Sequence, residues 1–148
     1  MEKEYLEKAK EELKRVDHLI FVSLKYTRTV DVIRNIIQRM IASFDFLVEG
    51  LCVELKESKK IESVPQAPGM RCNIIKEYIK DERILEFVDF YLYLRKLILS
   101  KFDRQQEFRR HVTMMTFVNG EQIKIDIDAV TEYYKKAKSY VEYIEGEK

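Results

Sequence analysis

The segment Arg104–His111, RQQEFRRH, is the part of the chain whose residue types and spacing could support chemistry. An arginine guanidinium can bind two oxygens of a phosphate, and it stays charged at physiological pH. A histidine with an ordinary pKa of roughly 6.5 can give or take a proton near neutrality. Arg104 and His111 would therefore supply the minimum for cleaving RNA without a metal. His111 would move the proton, and Arg104 would stabilise the charged phosphorane.

Two further arginines, Arg109 and Arg110, lie inside the same segment and are candidates for binding a nucleic-acid backbone. If a capping box starts a helical turn at Asp103, Arg104 and His111 would project from the same face. A purely structural interpretation stays open beside the catalytic one. Basic residues after a helix complement its C-terminal dipole, and they are usually only solvated.

Other familiar chemistries find little support in the sequence. It contains no Gly-rich phosphate loop after a strand, no Gly-x-Ser-x-Gly nucleophile segment and no His-Glu-x-x-His metal motif. The second histidine, His18, lies at the edge of an apolar helical stripe, where we expect it to be held by a neighbour. Cys52 and Cys72 are isolated, so we interpret them as reduced, packed thiols rather than zinc ligands. We therefore expect no metal and no cofactor.

The composition predicts one soluble domain over residues 1–148. Apolar residues make up 46% of the chain, and charged residues make up 36%, against about 25% in average domains. Such a charge-rich surface is common in thermophile proteins. The formal net charge is only +1, so binding to nucleic acid would depend on a local patch. A charged N-terminal segment, and the absence of an apolar run of about 20 residues, predict a cytoplasmic protein without a membrane partner.

Helical periodicity dominates the first half of the chain. Apolar residues in Leu6–Leu24 recur at steps of three and four, and the pattern weakens before Thr29, which could cap a second helix. That second helix is predicted over Val30–Leu55, and its wide apolar stripe indicates two or more neighbours. Lys56–Met70 holds both prolines and is predicted to be the one long loop.

The second half is predicted to contain helices around one β-hairpin. Arg71–Lys101 has helical periodicity, with Asp81 separating a short helix from a long one, and Asp128–Ile144 forms the closing helix with Asp128 as its cap. Asn119-Gly120 lies between two alternating runs and predicts a two-residue turn. The expected register places Val112, Met114 and Thr116 opposite Ile127, Ile125 and Ile123. We thus predict an all-α, up-and-down bundle of four to five helices with a small β-hairpin.

With this helix order and the Arg104-QQEFRR-His111 motif, the chain resembles the HEPN superfamily of helical bundles. Members of that family open with two long antiparallel helices, and many carry an arginine followed a few residues later by a histidine. The extra arginines inside the motif, and the hairpin after His111, depart from the commoner pattern.

The resemblance implies a metal-independent endoribonuclease whose site, Arg104 with His111, forms across a homodimer. It equally allows an inactive member that serves as a protein- or RNA-binding partner. The wide apolar stripe of the second helix also leads us to expect a twofold dimer, because an exposed apolar surface of this kind would drive self-association.

Overall fold

The computed structural model describes residues 1–146, which are mostly helical and carry a three-stranded antiparallel sheet. The helices are α1 (Lys3–His18), a π-helical segment (Leu19–Ser23), α2 (Leu24–Tyr26), α3 (Val30–Glu57), α4 (Pro68–Tyr78), α5 (Glu82–Leu99) and α6 (Ile127–Gly146). The strands are β1 (Phe102–Gln105), β2 (Thr113–Val118) and β3 (Glu121–Ile125). No helix in this described range has the length and apolarity needed to cross a membrane.

The helix boundaries follow local signals in the sequence. The predicted break before the second helix is confirmed: α2 ends at Tyr26, and the Thr29 hydroxyl accepts from the Val32 N–H at 3.3 Å. The predicted break at Asp81 is also confirmed, because its carboxylate accepts from the N–H groups of Arg83 and Ile84. Both side chains satisfy backbone donors that the first turn of a helix leaves without a partner.

The long helix α3 lies at the centre of the molecule and contacts α1, α4, α5 and α6. Its predicted span is confirmed, with a C-terminal end two residues beyond Leu55. These four neighbours bury the stripe that was expected to drive dimer formation. The wide stripe is therefore satisfied within one chain, and it gives no reason for a second copy.

Polar contacts between helices show how the long helices pair. Along each contacting pair, residue numbers rise on one helix as they fall on the other, so the pairs α1/α3, α3/α5, α5/α6 and α6/α1 are antiparallel. Helix α1 contacts α3 at Ala9–Ser43 and Glu12–Arg39, and α3 contacts α5 at Asp45–Tyr91 and Arg34–Ile98. Helix α5 with its cap contacts α6 at Asp81–Tyr143 and Tyr93–Tyr133, and α6 contacts α1 at Asp17–Tyr134 and Lys10–Glu145.

The predicted hairpin is present, with Asn119 (φ 53°) and Gly120 (φ 81°) at the turn. Its register is confirmed at two positions, since Met114 pairs with Ile125 and Thr116 with Ile123. The third pair was not formed as predicted, because β3 ends at Ile125 and Ile127 begins α6.

Two local predictions near the hairpin were wrong. No helical turn begins at Asp103; instead β1 pairs with β2, and the Thr116 hydroxyl donates to the Lys101 carbonyl at 2.6 Å. Pairing with β2 satisfies the backbone groups of β1 better than an isolated turn would, and local propensity does not reveal it. Asp126, not Asp128, caps α6 by accepting from the Ala129 N–H at 2.8 Å.

Asp81 gives a test of the α5 boundary. The hydrogen bond from Tyr143 lowers the pKa of Asp81 below its ordinary 3.8, and the Ile84 and Arg83 N–H groups add to this effect. Asp81→Ala should reduce the free energy of unfolding at neutral pH by about 1 kcal/mol, because the cap is lost. A depressed pKa stabilises the fold above pH 3.8, and that contribution disappears as the pH falls through the folded-state pKa.

The measurement is urea unfolding of parent and variant across acid pH. Their difference should shrink as the pH falls, and a difference that stays constant down to about pH 2 would contradict the assignment. Tyr143→Phe is the control: it removes one hydroxyl, raises the pKa of Asp81 and moves the loss of stability to higher pH.

Candidate functional site

The loop that joins β1 to β2 is anchored on the turn before α3. The Phe108 N–H donates to the Arg28 carbonyl at 2.6 Å, and the Glu107 carboxylate accepts from the Val30 N–H at 3.0 Å. Gln106 and Phe108 adopt positive φ angles of 56° and 66°, which reverse the chain inside the loop. The candidate segment therefore lies over the N-terminus of α3, where Glu107 serves as a cap supplied from a distant part of the sequence.

Arg104 lies on β1, and its guanidinium is already paired with carboxylates. Its Nη1 is 2.8 Å from an oxygen of Asp31 and 3.4 Å from one of Glu107. The hydrogen bond to Asp31 is the main cause that raises the pKa of Arg104. A phosphate at this guanidinium would meet the repulsion of two carboxylates. In this arrangement Arg104, the predicted phosphate-binding arginine, joins the loop to the first turn of α3.

Phe102 lies between two arginines of this region. The Arg34 guanidinium is 4.0 Å and that of Arg104 5.3 Å from the centre of its ring, distances suited to cation–π contact. Arg34 also donates to the Ile98 carbonyl at 3.2 Å. Burial, followed by the charge of Arg104, lowers the pKa of Arg34. These contacts hold β1 against α3 and α5.

His111 is exposed and opens onto a depression of about 320 Å³. Arg110 lines the same depression, together with Arg28 from the turn before α3, and Asp126 and Asp128 from the start of α6. Arg104 does not line it. Of the four predicted site residues, the fold therefore brings Arg110 to His111, leaves Arg109 exposed on the same loop and engages Arg104 with Asp31 and Glu107.

Two exposed aromatic side chains flank these arginines along the chain. Tyr26 is 83% exposed and precedes Arg28 by two residues, and Phe108 is 76% exposed and hydrogen-bonds through its backbone to Arg28. Tyr26 therefore contributes little to the packing of the core. We call the set Tyr26, Arg28, Phe108, Arg109, Arg110 and His111 the loop surface.

Sequence reasoning missed Arg28 and Phe108 as parts of this surface. Phe108 stood inside the candidate motif, and its exposure on a loop is the signal that could have singled it out. No local pattern distinguishes Arg28, because only the hydrogen bonds of the folded loop bring it to the motif.

Within residues 1–146, no three or more His, Cys, Asp and Glu side chains come together in a way that could hold a metal ion. Cys52 and Cys72 are buried and free, and burial raises the pKa of each thiol to about 11. Both sulfurs therefore remain protonated near neutrality and are poor nucleophiles. Neither cysteine lines the depression at His111.

No family model, no curated protein and no solved structure matches this chain.

The anchoring of the loop can be tested at Glu107. Glu107→Ala removes both the acceptor for the Val30 N–H and one partner of Arg104, so it should lower the free energy of unfolding by about 1 kcal/mol. Amide exchange of residues 106–111 should accelerate more than that of α6, because the loop loses its contact with α3.

Glu121→Ala, an exposed acidic residue on β3, is the control and should change neither quantity. Unchanged stability and unchanged exchange in Glu107→Ala would show that this carboxylate does not anchor the loop.

Proposed function

We propose that this protein binds single-stranded RNA through the loop surface, as an HEPN-like RNA-binding domain. The observation that carries the proposal is the combination of two exposed aromatic rings, Tyr26 at the end of α2 and Phe108 in the loop, with the arginines that follow each of them in the chain. Unpaired bases stack on aromatic rings while arginines contact the backbone, and this combination is typical of single-strand binding. An ordinary solvated turn does not require two large aromatic side chains in water.

The charge of the loop surface supports a single strand over a duplex. Asp126 and Asp128 line the depression beside Arg28 and Arg110, so its field is not strongly positive. Duplex binding relies on many phosphate contacts, whereas stacking contributes without them. A few arginines with two stacking rings suit a short, unpaired segment.

Metal-independent cleavage of that RNA is a second candidate function, favoured by the exposure of His111 beside Arg28 and Arg110. In this proposal His111 takes the proton of a 2′-hydroxyl, whose oxygen attacks the adjacent phosphorus. The bond to the 5′-oxygen then breaks, which leaves a 2′,3′-cyclic phosphate, and the leaving oxygen receives a proton from water. The arginines stabilise the phosphorane. Arg104 can take part only when its pairs with Asp31 and Glu107 open, for instance in a homodimer that rearranges the loop.

We also propose that the four long helices form an up-and-down bundle, as in the family that the sequence resembles. The antiparallel contacts around the ring α1, α3, α5 and α6 support this topology.

RNA binding is tested with a fluorescent 12-nucleotide oligouridylate in anisotropy titrations. Phe108→Ala and Tyr26→Ala should each weaken binding about fivefold or more, because stacking of a base contributes roughly 1–3 kcal/mol. Arg109→Ala and Arg110→Ala should weaken binding and reduce its salt dependence by about 0.7 in slope for each lost phosphate contact.

Phe117→Ala and Lys135→Gln are the controls. Phe117 is an aromatic residue of β2 that is 59% exposed, and Lys135 is an exposed cation of α6. Both variants should bind like the parent. Equal losses in these controls, or none in the loop variants, would rule out the loop surface as the binding site.

Cleavage is tested by incubating the protein with single-stranded RNA and excess chelator. His111→Ala should reduce the cleavage rate by about 10²–10⁴-fold, because proton transfer is lost, while binding changes little. Arg104→Lys distinguishes the two roles of Arg104: it should abolish cleavage if the guanidinium contacts phosphate and leave it largely intact if Arg104 is structural. A parent protein that binds RNA without cleaving it is the non-catalytic alternative.

A further inference from the structure

A cationic feature outside the loop surface lies between the C-terminal turns of α1 and the first half of α3. It is a groove of about 500 Å³, and sequence reasoning assigned it no role. Its lining residues are Lys14, Arg15, His18, Leu19, Asn35 and Arg39. His18, expected at the boundary of the core, is exposed here. Five of these six side chains can donate hydrogen bonds, so the groove has the chemistry of an anion site.

Glu12 places the two arginines of the groove side by side. One of its oxygens is 3.3 Å from Nη1 of Arg15, and the other is 3.3 Å from Nη1 of Arg39. The Glu12 side chain is only 13% exposed, so it is held between the helices. One carboxylate thus faces two guanidiniums, with the ammonium of Lys14 nearby. The groove keeps an excess of positive charge.

Arg39 supplies an independent sign of a missing acceptor. Its Nε is buried and has no hydrogen-bond partner among the described residues. Buried donors are almost always paired, because an unpaired one loses its hydration without compensation. An oxyanion in the groove would accept from the exposed guanidinium N–H groups of Arg15 and Arg39 and would neutralise their charge. Two arginines fixed by a shared carboxylate can bind phosphate oxygens with little loss of side-chain freedom.

We propose that this groove binds a backbone phosphate of the single-stranded RNA that occupies the loop surface. The inference rests on the proposed function. The two features share α3: Asp31, which pairs with Arg104 of the loop, and Asn35, which lines the groove, lie four residues apart on the same face of the helix. Arg39 lies nine residues beyond Val30, about 13.5 Å along the helix axis at 1.5 Å per residue. An RNA strand of a few nucleotides spans that distance, within the range of about 4–16 nucleotides of single-strand sites.

The proposal makes binding depend on the length of the RNA. The double variant Lys14→Gln, Arg15→Gln changes two exposed side chains on a long helix, so folding is not at issue. It should bind a 12-nucleotide oligouridylate about tenfold more weakly than the parent does. The slope of log affinity against log salt should fall by about 1.4, or 0.7 for each lost contact. A 4-nucleotide oligouridylate fits on the loop surface alone, so the double variant should bind it with an affinity within about twofold of the parent's.

Lys3→Gln is the control, because it removes one charge from the opposite end of α1, where the side chain is 89% exposed. It should leave both affinities unchanged. Equal binding of the 12-nucleotide strand by parent and double variant overturns the inference. Equal weakening of both lengths also overturns it, because the groove would then not be a separate contact.

Failure of the proposed function has a different signature. Phe108→Ala should weaken both lengths, and if it weakens neither, the loop surface is not the RNA site even where the groove variant has an effect. Titration with inorganic phosphate, followed through the NMR signal of the Arg39 Nε–H, tests the phosphate chemistry by itself. If that signal shifts with phosphate while the groove variant leaves RNA affinity unchanged, the groove is a site for free phosphate, and RNA is overturned as its occupant.

Discussion

Burial of α3 is the constraint on which the rest of this structure depends. A helix of 28 residues with apolar side chains around most of its circumference cannot stand in water, so α1, α4, α5 and α6 pack around it. The centre of this packing is a cluster of aromatic rings that meet mostly edge to face: Phe44, Phe87, Phe90, Tyr91 and Tyr140. Polar residues are then confined to the ends of α3 and to the narrow faces between its neighbours.

The N-terminus of α3 explains why the RQQEFRRH segment has two different halves. The first half serves the fold: Arg104 pairs with Asp31 in the first turn, and Glu107 accepts from the Val30 N–H. This anchoring holds the second half, from Phe108 to His111, in an exposed conformation. A surface that must bind another molecule benefits from such a support, because a loop already held in place loses less freedom on binding.

Hydrogen bonds between tyrosines and carboxylates fix the alignment of neighbouring helices. Tyr91 donates to Asp45 between α5 and α3, and Tyr134 donates to Asp17 between α6 and α1. Burial, together with the neighbouring carboxylate, raises the pKa of Tyr91 and of Tyr134, so both remain protonated donors. Each bond requires one particular alignment of two helices, which apolar packing alone specifies less strictly.

Apolar periodicity and local caps determined the elements: the spans of α3 and α5, the caps Thr29 and Asp81, and the hairpin at Asn119-Gly120 all depend on neighbours within a few residues. Tertiary structure alone decided the site. Arg28 and Val30 meet the loop across more than 70 residues of chain, β1 forms only because β2 offers it a partner, and Asp31 engages Arg104 from another element. Glu12 and Arg39 are likewise joined only when α1 packs on α3. A side chain of either charge has many possible partners, and the packing of the whole chain selects which of them it meets.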